Sequence, residues 1–321
     1  MNKYFLFDKY NWNLARPFLP LSTLCILVTI IGILEPIFLM PSTLIELGSD
    51  TAVLFILATG VTFVVMLGGI DLSLQSMASL SSVVVALTIS RFGYFSFVIA
   101  IASGIIAGFV SGLIHVKLKI PSFITTLAMG GVLFSFALVL SKERSITLEI
   151  EQRNYQSWIT GSEFSIPNVA IIAIIVLVIA HILQAHTRFG RYSAAIGAGE
   201  PAAYASGIKV GRQKIYAFIL SGGFASLAGV ILAGRLSSGS PTLAAELLLP
   251  SIAAVIVGGT AITGGVGSIW RTLLGALIIS VIRIGMIFLG VNIFAQNIVF
   301  GIVLIFAVAI TIDRSKIPIV K

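Results

Sequence analysis

The chain has 321 residues, 58 % of them apolar and only 10 % charged, with a mean hydropathy of +1.10. A soluble domain carries about 25 % charged residues, so this composition excludes an ordinary soluble fold and predicts an all-α polytopic membrane protein. The net charge of +8 and pI of about 9.8 point to nucleic acid only if the basic residues do not sort to one side of a membrane.

A helix needs about 20 apolar residues to cross the hydrocarbon core. Runs free of Asp, Glu, Lys and Arg cover 17–34, 51–70, 72–90, 92–114, 120–141, 164–187, 215–234 and 247–270. The region 272–312 is interrupted only by Arg283, and Gly290, Asn292, Gln296 and Asn297 mark a turn near its middle, so it holds two further spans. The first run, 18 residues long, exceeds the apolar core of a signal peptide, about 7–15 residues, and reads as an uncleaved span. The expectation is about ten transmembrane helices, some broken by glycines, in a single domain over 1–321, with both termini cytoplasmic. Cys25, the one cysteine, makes no intrachain disulfide or metal cluster and reads as a small packing residue.

With the N-terminus inside, fourteen of the 20 Lys and Arg fall on inner segments: Lys3, Lys9 and Arg16; Lys117 and Lys119; Arg188, Arg191, Lys209, Arg212 and Lys214; Arg271; Arg314, Lys316 and Lys321. Arg91, Lys142, Arg144, Arg153 and Arg235 fall outside, and Arg283 lies within a span. This is the positive-inside pattern. It accounts for the basic pI and removes nucleic acid as a partner. Arg283, deep in the outer half of its span, reads as a snorkelling or dimer-contact residue, or as a pathway residue.

In the second span, "VVMLGGIDLSLQS" (64–76) sets Asp71 beside a Gly-Gly pair. Gly68 and Gly69 break the helix there. Asp71 and Ser73 then either cap the next helix or, with Gln75, face a gate or a sugar hydroxyl. A partial echo, "VIVGGTAIT" (255–263), places Gly258, Gly259 and Thr260 at a second break, followed by a flexible Gly264–Ser268 string. Paired helix breaks mark binding sites in many transporters. Gly69, Asp71, Ser73, Gln75, Gly258, Gly259 and Thr260 are therefore the candidate pathway residues. In the fourth span Gly104, Gly108 and Gly112 lie on one helix face and predict close helix packing.

Two loops exceed hairpin length. The outer one, 142–166, is mixed in charge, contains Trp158, and suits either the bilayer surface or a soluble partner. The inner one, 185–214, reads "HTRFGRYSAAIGAGEPAAYASGIKVGRQK" over 186–214. Gly197 and Gly199 break what precedes. Pro201 suits a first helical turn, Glu200 the positive helix end, and Gly207 the stop. A very short helix of Glu200, Pro201, Ala202 and Ala203 onward is expected between glycine hinges. It is either part of an ordinary basic loop or a surface gripped by another protein, because so short a helix is marginal alone.

Glu200-Pro201-Ala202-Ala203 with Gly207 resembles the Glu-Ala-Ala…Gly loop of ABC importer permeases. Taken with "GGIDLS" (68–73), "IPSFITTLAMGGVL" (120–133), "SGGFASLAGVI" (221–231) and "AAVIVGGTAITGGVGS" (253–268), the chain resembles the ribose-type permeases of bacterial sugar ABC importers. Gln75 departs from that family's pattern, which has glycine there. The resemblance implies a permease subunit in the bacterial inner membrane. Its partners would be a second permease copy or sister permease, a cytoplasmic ABC ATPase seated on Gly197–Gly207, and a periplasmic sugar-binding protein. The substrate would be a monosaccharide or small polyol. No Gly-x-x-x-x-Gly-Lys-Ser/Thr motif occurs in the sequence, so no cofactor is expected on this chain, and ATP and Mg belong to the ATPase. No catalytic residue set and no metal-ligand spacing is visible among His115, His181 and His186. The competing class is an ion-coupled secondary transporter, which needs buried carboxylates where the spans offer only Asp71. A non-transporting receptor is disfavoured by the glycine-broken spans.

Overall fold

The computed structural model describes residues 19–163 and 166–311, without the side chains of 293, 294 and 307–311. Both chain termini, with Lys3, Lys9, Arg16, Arg314, Lys316 and Lys321, lie outside the described residues. The described chain is an all-α polytopic bundle. In order it contains α1 (Leu19–Leu34), α2 (Pro41–Val65), α3 (Leu74–Phe92), α4 (Phe95–Lys117), α5 (Ser122–Ser141), α6 (Asn168–His181) and α7 (Arg188–Ala198). There follow α8 (Glu200–Ala205), α9 (Val210–Leu236), α10 (Leu248–Val257), α11 (Ile269–Phe288) and α12 (Ile293–Thr311). Among the described residues six helices are long and apolar enough to cross a membrane: α2, α4, α5, α6 with its extension to His186, α9 and α11.

The centre is α2. From Thr51 to Val65 every residue is buried, which is the pattern of a helix apolar all round and enclosed by others. The helices α6, α9, α10 and α11 pack around it. The tightest neighbours are α4 and α9, and glycine is the reason. A Cβ on Gly104 would overlap Ser226 Oγ, one on Gly108 would overlap Phe218 O, and one on Gly112 would come 2.9 Å from Ile215 Cα. On α9 a Cβ at Gly222 would overlap Gly104 O. Backbone meets backbone along this seam, as small-residue interfaces allow. At the periphery α1 joins α11 through Ile31, Phe38, Leu47, Val281 and Ile284. Phe123, Leu127, Phe136 and Val139 on α5 face outward.

Three expectations need correction. The apolar run 247–270 is not one span. Helix α10 has ten residues, about 15 Å of rise, and the chain is then non-helical from Gly258 to Ser268. Its composition still reads as a span because irregular backbone at membrane depth is buried in protein and stays apolar. Next, α2 begins at Pro41 and carries Glu46 and Asp50 on its outer turns. Asp50 is accommodated there by an ion pair with Arg235 Nη1 at 2.7 Å. Cys25 is exposed on α1, so it packs against nothing inside the chain.

The outer loop is built rather than loose. Strand β1 (Ile146–Thr147) pairs antiparallel with β4 (Ser238–Gly239), and β2 (Ser162–Glu163) with β3 (Ile166–Pro167). Between them Leu148 and Ile159 are buried, and Trp158 packs edge-on to Phe97 with centroids 5.2 Å apart. The loop therefore caps the outer ends of α4 and α9.

Candidate functional site: two helix breaks, a cavity and the inner loop

Helix α2 stops at Val65, and Gly68 takes a positive φ of 78°, a conformation that glycine adopts without strain. The extended stretch that follows is held by side chains of α5. Ile70 N–H donates to Ser122 Oγ (3.0 Å) and Leu72 N–H to Thr126 Oγ1 (3.0 Å). Asp71 is fully buried. Its Oδ1 accepts from Ser73 N–H (2.9 Å) and the Ser73 hydroxyl (2.6 Å), and its Oδ2 accepts from the Ser221 hydroxyl (2.7 Å). The expected cap is thus replaced by a turn. Ser73 occupies the N-cap position of α3 but its side chain makes no cap bond, because the hydroxyl is committed to Asp71. Ser221 stands seven residues above Lys214 on α9, about 10 Å deeper at 1.5 Å per residue. The carboxylate therefore sits inside the span rather than at the surface, and three hydrogen bonds meet the requirement of a buried charge.

The second break lies against the first. Gly265 N–H donates to Met66 O (2.9 Å), and a Cβ on Gly68 would come 3.3 Å from Thr263 O. The two glycine-rich stretches, about 190 residues apart in sequence, are hydrogen-bonded backbone to backbone. Thr260 is fully buried and its hydroxyl has no partner among the described residues.

Above the first break is a cavity of about 360 Å³, in the range of small-molecule sites. Gln75, Ser76 and Ser79 of α3, Leu127 and Phe134 of α5, and Thr242 of the outer segment contribute to its wall. Of the candidate pathway residues only Gln75 lines it. Gly69 instead borders a smaller inner cavity of about 90 Å³ with His115, Ser122, Glu200 and Lys214. Asp71, Ser73 and Thr260 are buried among helices, and Gly258 is pressed against α11, where a Cβ would overlap Arg271 O. Arg283 is half-buried on α11, away from both cavities.

The inner loop holds two helices. The six-residue α8 starts at Glu200 with Pro201 in its first turn, and Gly207, at φ 81°, ends it. Its Ala203 is buried, while Pro201, Ala202, Tyr204 and Gly207 face solvent. Glu200 accepts from Lys214 Nζ through both oxygens at 2.8 and 2.9 Å. Gly199 ends α7 in extended backbone, as expected of a break. Gly197 does not break anything. It is the penultimate residue of α7, where a Cβ would overlap Met66 O and Gly265 N. Helix α7 itself had no forecast in the sequence. It buries Gly190, Ser193 and Ile196, and Gln213 of α9 donates to Phe189 O (2.7 Å) and Ser193 Oγ (3.0 Å).

Discontinuous helices meeting beside a largely apolar cavity with a few polar side chains in its wall, and a small exposed helix hung beneath them, are the architecture of a membrane permease subunit rather than of a soluble enzyme or a simple bundle. The chain belongs to the family described as branched-chain amino acid transport system, permease component, which matches residues 43–308. It is 39 % identical over 299 residues to the ribose import permease protein of Bacillus subtilis (strain 168), covering 92 % of each chain. It is 36 % identical over 300 residues to the ribose import permease protein of Escherichia coli (strain K12), covering 92 % of this chain and 93 % of that one. The L-arabinose transport system permease protein of the same strain is 33 % identical over 277 residues, covering 84 % and 82 %.

Proposed function

We propose that this chain is the membrane-spanning subunit of an ATP-driven importer that carries a monosaccharide into the cytoplasm. The relatives named for ribose import and L-arabinose transport support the sugar class. The observation that carries the ATP-driven reading is the inner loop: α8 turns Pro201, Ala202, Tyr204 and Gly207 outward while α7 beneath it touches both helix breaks. An ATPase chain, with its ATP and Mg, seats on α8. Ten spans with cytoplasmic termini in the bacterial inner membrane fit the helix order, with α1, α3 and α12 as shorter or less apolar spans and with α10 crossing only together with the non-helical 258–268 segment, not as a single helix. The 360 Å³ cavity is the sugar's passage. Phe134 offers a ring face to C–H groups, and Gln75, Ser76, Ser79 and Thr242 offer hydroxyl partners. Its outer wall, α5, exposes Leu127 and Val132, so a second permease copy or a sister permease closes it. A periplasmic binding protein delivers the sugar to the outer face.

Ion coupling is the weaker reading. Asp71, the carboxylate within the spans, is bonded to two serines and faces neither cavity. The test is Glu200→Lys, which sets a second cation beside Lys214, where the Glu200 side chain is 53 % and the Lys214 side chain 18 % exposed. Losing a partly exposed pair costs about 1 kcal/mol, so the permease still folds, but the co-expressed ATPase no longer co-purifies and ribose uptake is lost. Normal ATPase retention and uptake in this variant would sink the reading.

A further inference from the structure

Gln184 belongs to none of the motifs above, yet it makes two bonds across the fold. It lies in a π-helical turn, Ile182–His186, that extends α6 to the start of α7. Its Nε2–H donates to Gly267 O (2.7 Å), and its Oε1 accepts from Ile269 N–H (3.0 Å). The opposed donor and acceptor fix the amide's orientation. The second bond satisfies a first-turn N–H of α11 that Ser268 leaves uncapped. Eleven residues after the π turn's close, the glycine segment 258–268 is gripped again. Gly197 of α7 fits against Gly264 and Gly265 with no room for a Cβ.

Between these two grips α7 is a stiff element. Its first turn rests on the π turn, where a Cβ on Gly190 would overlap Gln184 O. Its Phe189 packs edge-on to Phe63 of α2, centroids 5.6 Å apart. The glycine segment is the softer partner. It has no helix hydrogen bonds of its own over most of its length, and positive φ at Gly259, Gly264 and Gly265. Thr260 Oγ1, buried without a partner, has a hydrogen bond to gain by rearrangement.

We propose that α7 is the strut that converts displacement of α8 into movement of the 258–268 segment and, through Gly265 and Met66, of the first helix break, with Gln184 as its positioning residue. This rests on the reading of α8 as the ATPase seat. A rigid helix tied at both ends to one soft segment transmits displacement, because packed interfaces shift between discrete arrangements rather than deform. Loss of the Gln184 tie leaves α7 able to follow the ATPase while the segment lags.

The experiment uses the complete complex in proteoliposomes, with labelled ribose as the probe. Gln184→Met keeps the side-chain volume and removes both bonds. The ATPase co-purifies as in the unmodified complex and ATP hydrolysis persists, but ribose carried per ATP hydrolysed falls about tenfold. Gln184→Glu retains the acceptor toward Ile269 N–H but sets a carboxylate oxygen against Gly267 O in place of the donor, so ribose carried per ATP falls at least as far, and it decides the matter if Gln184→Met does not assemble. Ribose carried per ATP unchanged in the assembled variants would overturn the proposal, as would uptake and hydrolysis falling in proportion. Failure of the ATPase to co-purify with the unmodified permease would instead overturn the docking role of α8.

Discussion

Asp71 offers the sharpest test of the architecture. Asp71→Ala removes the acceptor for three buried donors: Ser73 N–H, Ser73 O–H and Ser221 O–H. Each buried donor without a partner costs about 1–3 kcal/mol. The Ser221 hydroxyl, inside α9, can turn toward a carbonyl one helical turn back, while the Ser73 amide and hydroxyl, at the start of α3, have no such carbonyl, so the net loss is about 2–6 kcal/mol. Asp71→Asn is different. Its Oδ1 keeps both Ser73 bonds, its Nδ2 replaces Oδ2, and the Ser221 hydroxyl accepts instead of donating. The weaker neutral bonds are offset by no longer burying a charge, so the change stays within about 1 kcal/mol. Equilibrium unfolding of the purified permease in mixed micelles measures the gap between the two. Uptake of the labelled monosaccharide that the reconstituted complex carries measures the rest: the Asn variant transports within about threefold of the unmodified protein, because the carboxylate lines neither of the two described cavities. Equal stability of the Ala and Asn variants would refute the network. Loss of uptake in an assembled Asn variant would refute the architectural role.

Gly108→Val drives a branched side chain into the Phe218 carbonyl and destabilises the permease by about 1–3 kcal/mol or more in the same unfolding assay. Gly48→Ala, where nothing lies within 4 Å, is neutral or stabilising by up to about 1 kcal/mol. Gln75→Ala leaves stability within about 0.5 kcal/mol but shifts the concentration dependence of monosaccharide uptake about threefold or more, as expected for an amide that meets sugar hydroxyls; unchanged kinetics would remove Gln75 from the passage.

Where the sequence was legible, single physical rules sufficed. Charge-free runs located α1, α3, α4, α5, α6 and α9, and Pro201 and Gly207 bracketed α8, because hydrocarbon and helix termini impose requirements that one residue can reveal. What was not legible depends on pairs. Asp50 enters a helix only because Arg235 is 2.7 Å away. The 258–268 stretch looks like membrane helix because it carries no charged residue, yet glycines at positive φ end the helix there and Thr263 and Val266 are exposed. Gly197 looks like a breaker but is small for the sake of Met66 and Gly265. Asp71 looks like a cap until Ser221, 150 residues later, claims its second oxygen. Gln184 gave no signal, since an amide near an inner helix end is commonplace until its two acceptor and donor partners are known.

The enclosure of α2 bears on how the protein is made. Synthesis proceeds at about 5–20 residues per second, so α9 emerges roughly 10–30 s after α2. During that interval the future core helix stands in lipid without its main cover, in keeping with insertion before association. Two of its hydroxyls are prepared for the wait: Thr59 donates to Phe55 O and Thr62 to Ala58 O, both at 2.8 Å and both within the helix. Asp71 is not, because one of its bonds requires a serine not yet translated. The nascent chain is therefore most vulnerable at that aspartate, and a quality-control system that senses unpaired charge in the bilayer would read the arrival of α9 as the signal that the core has closed.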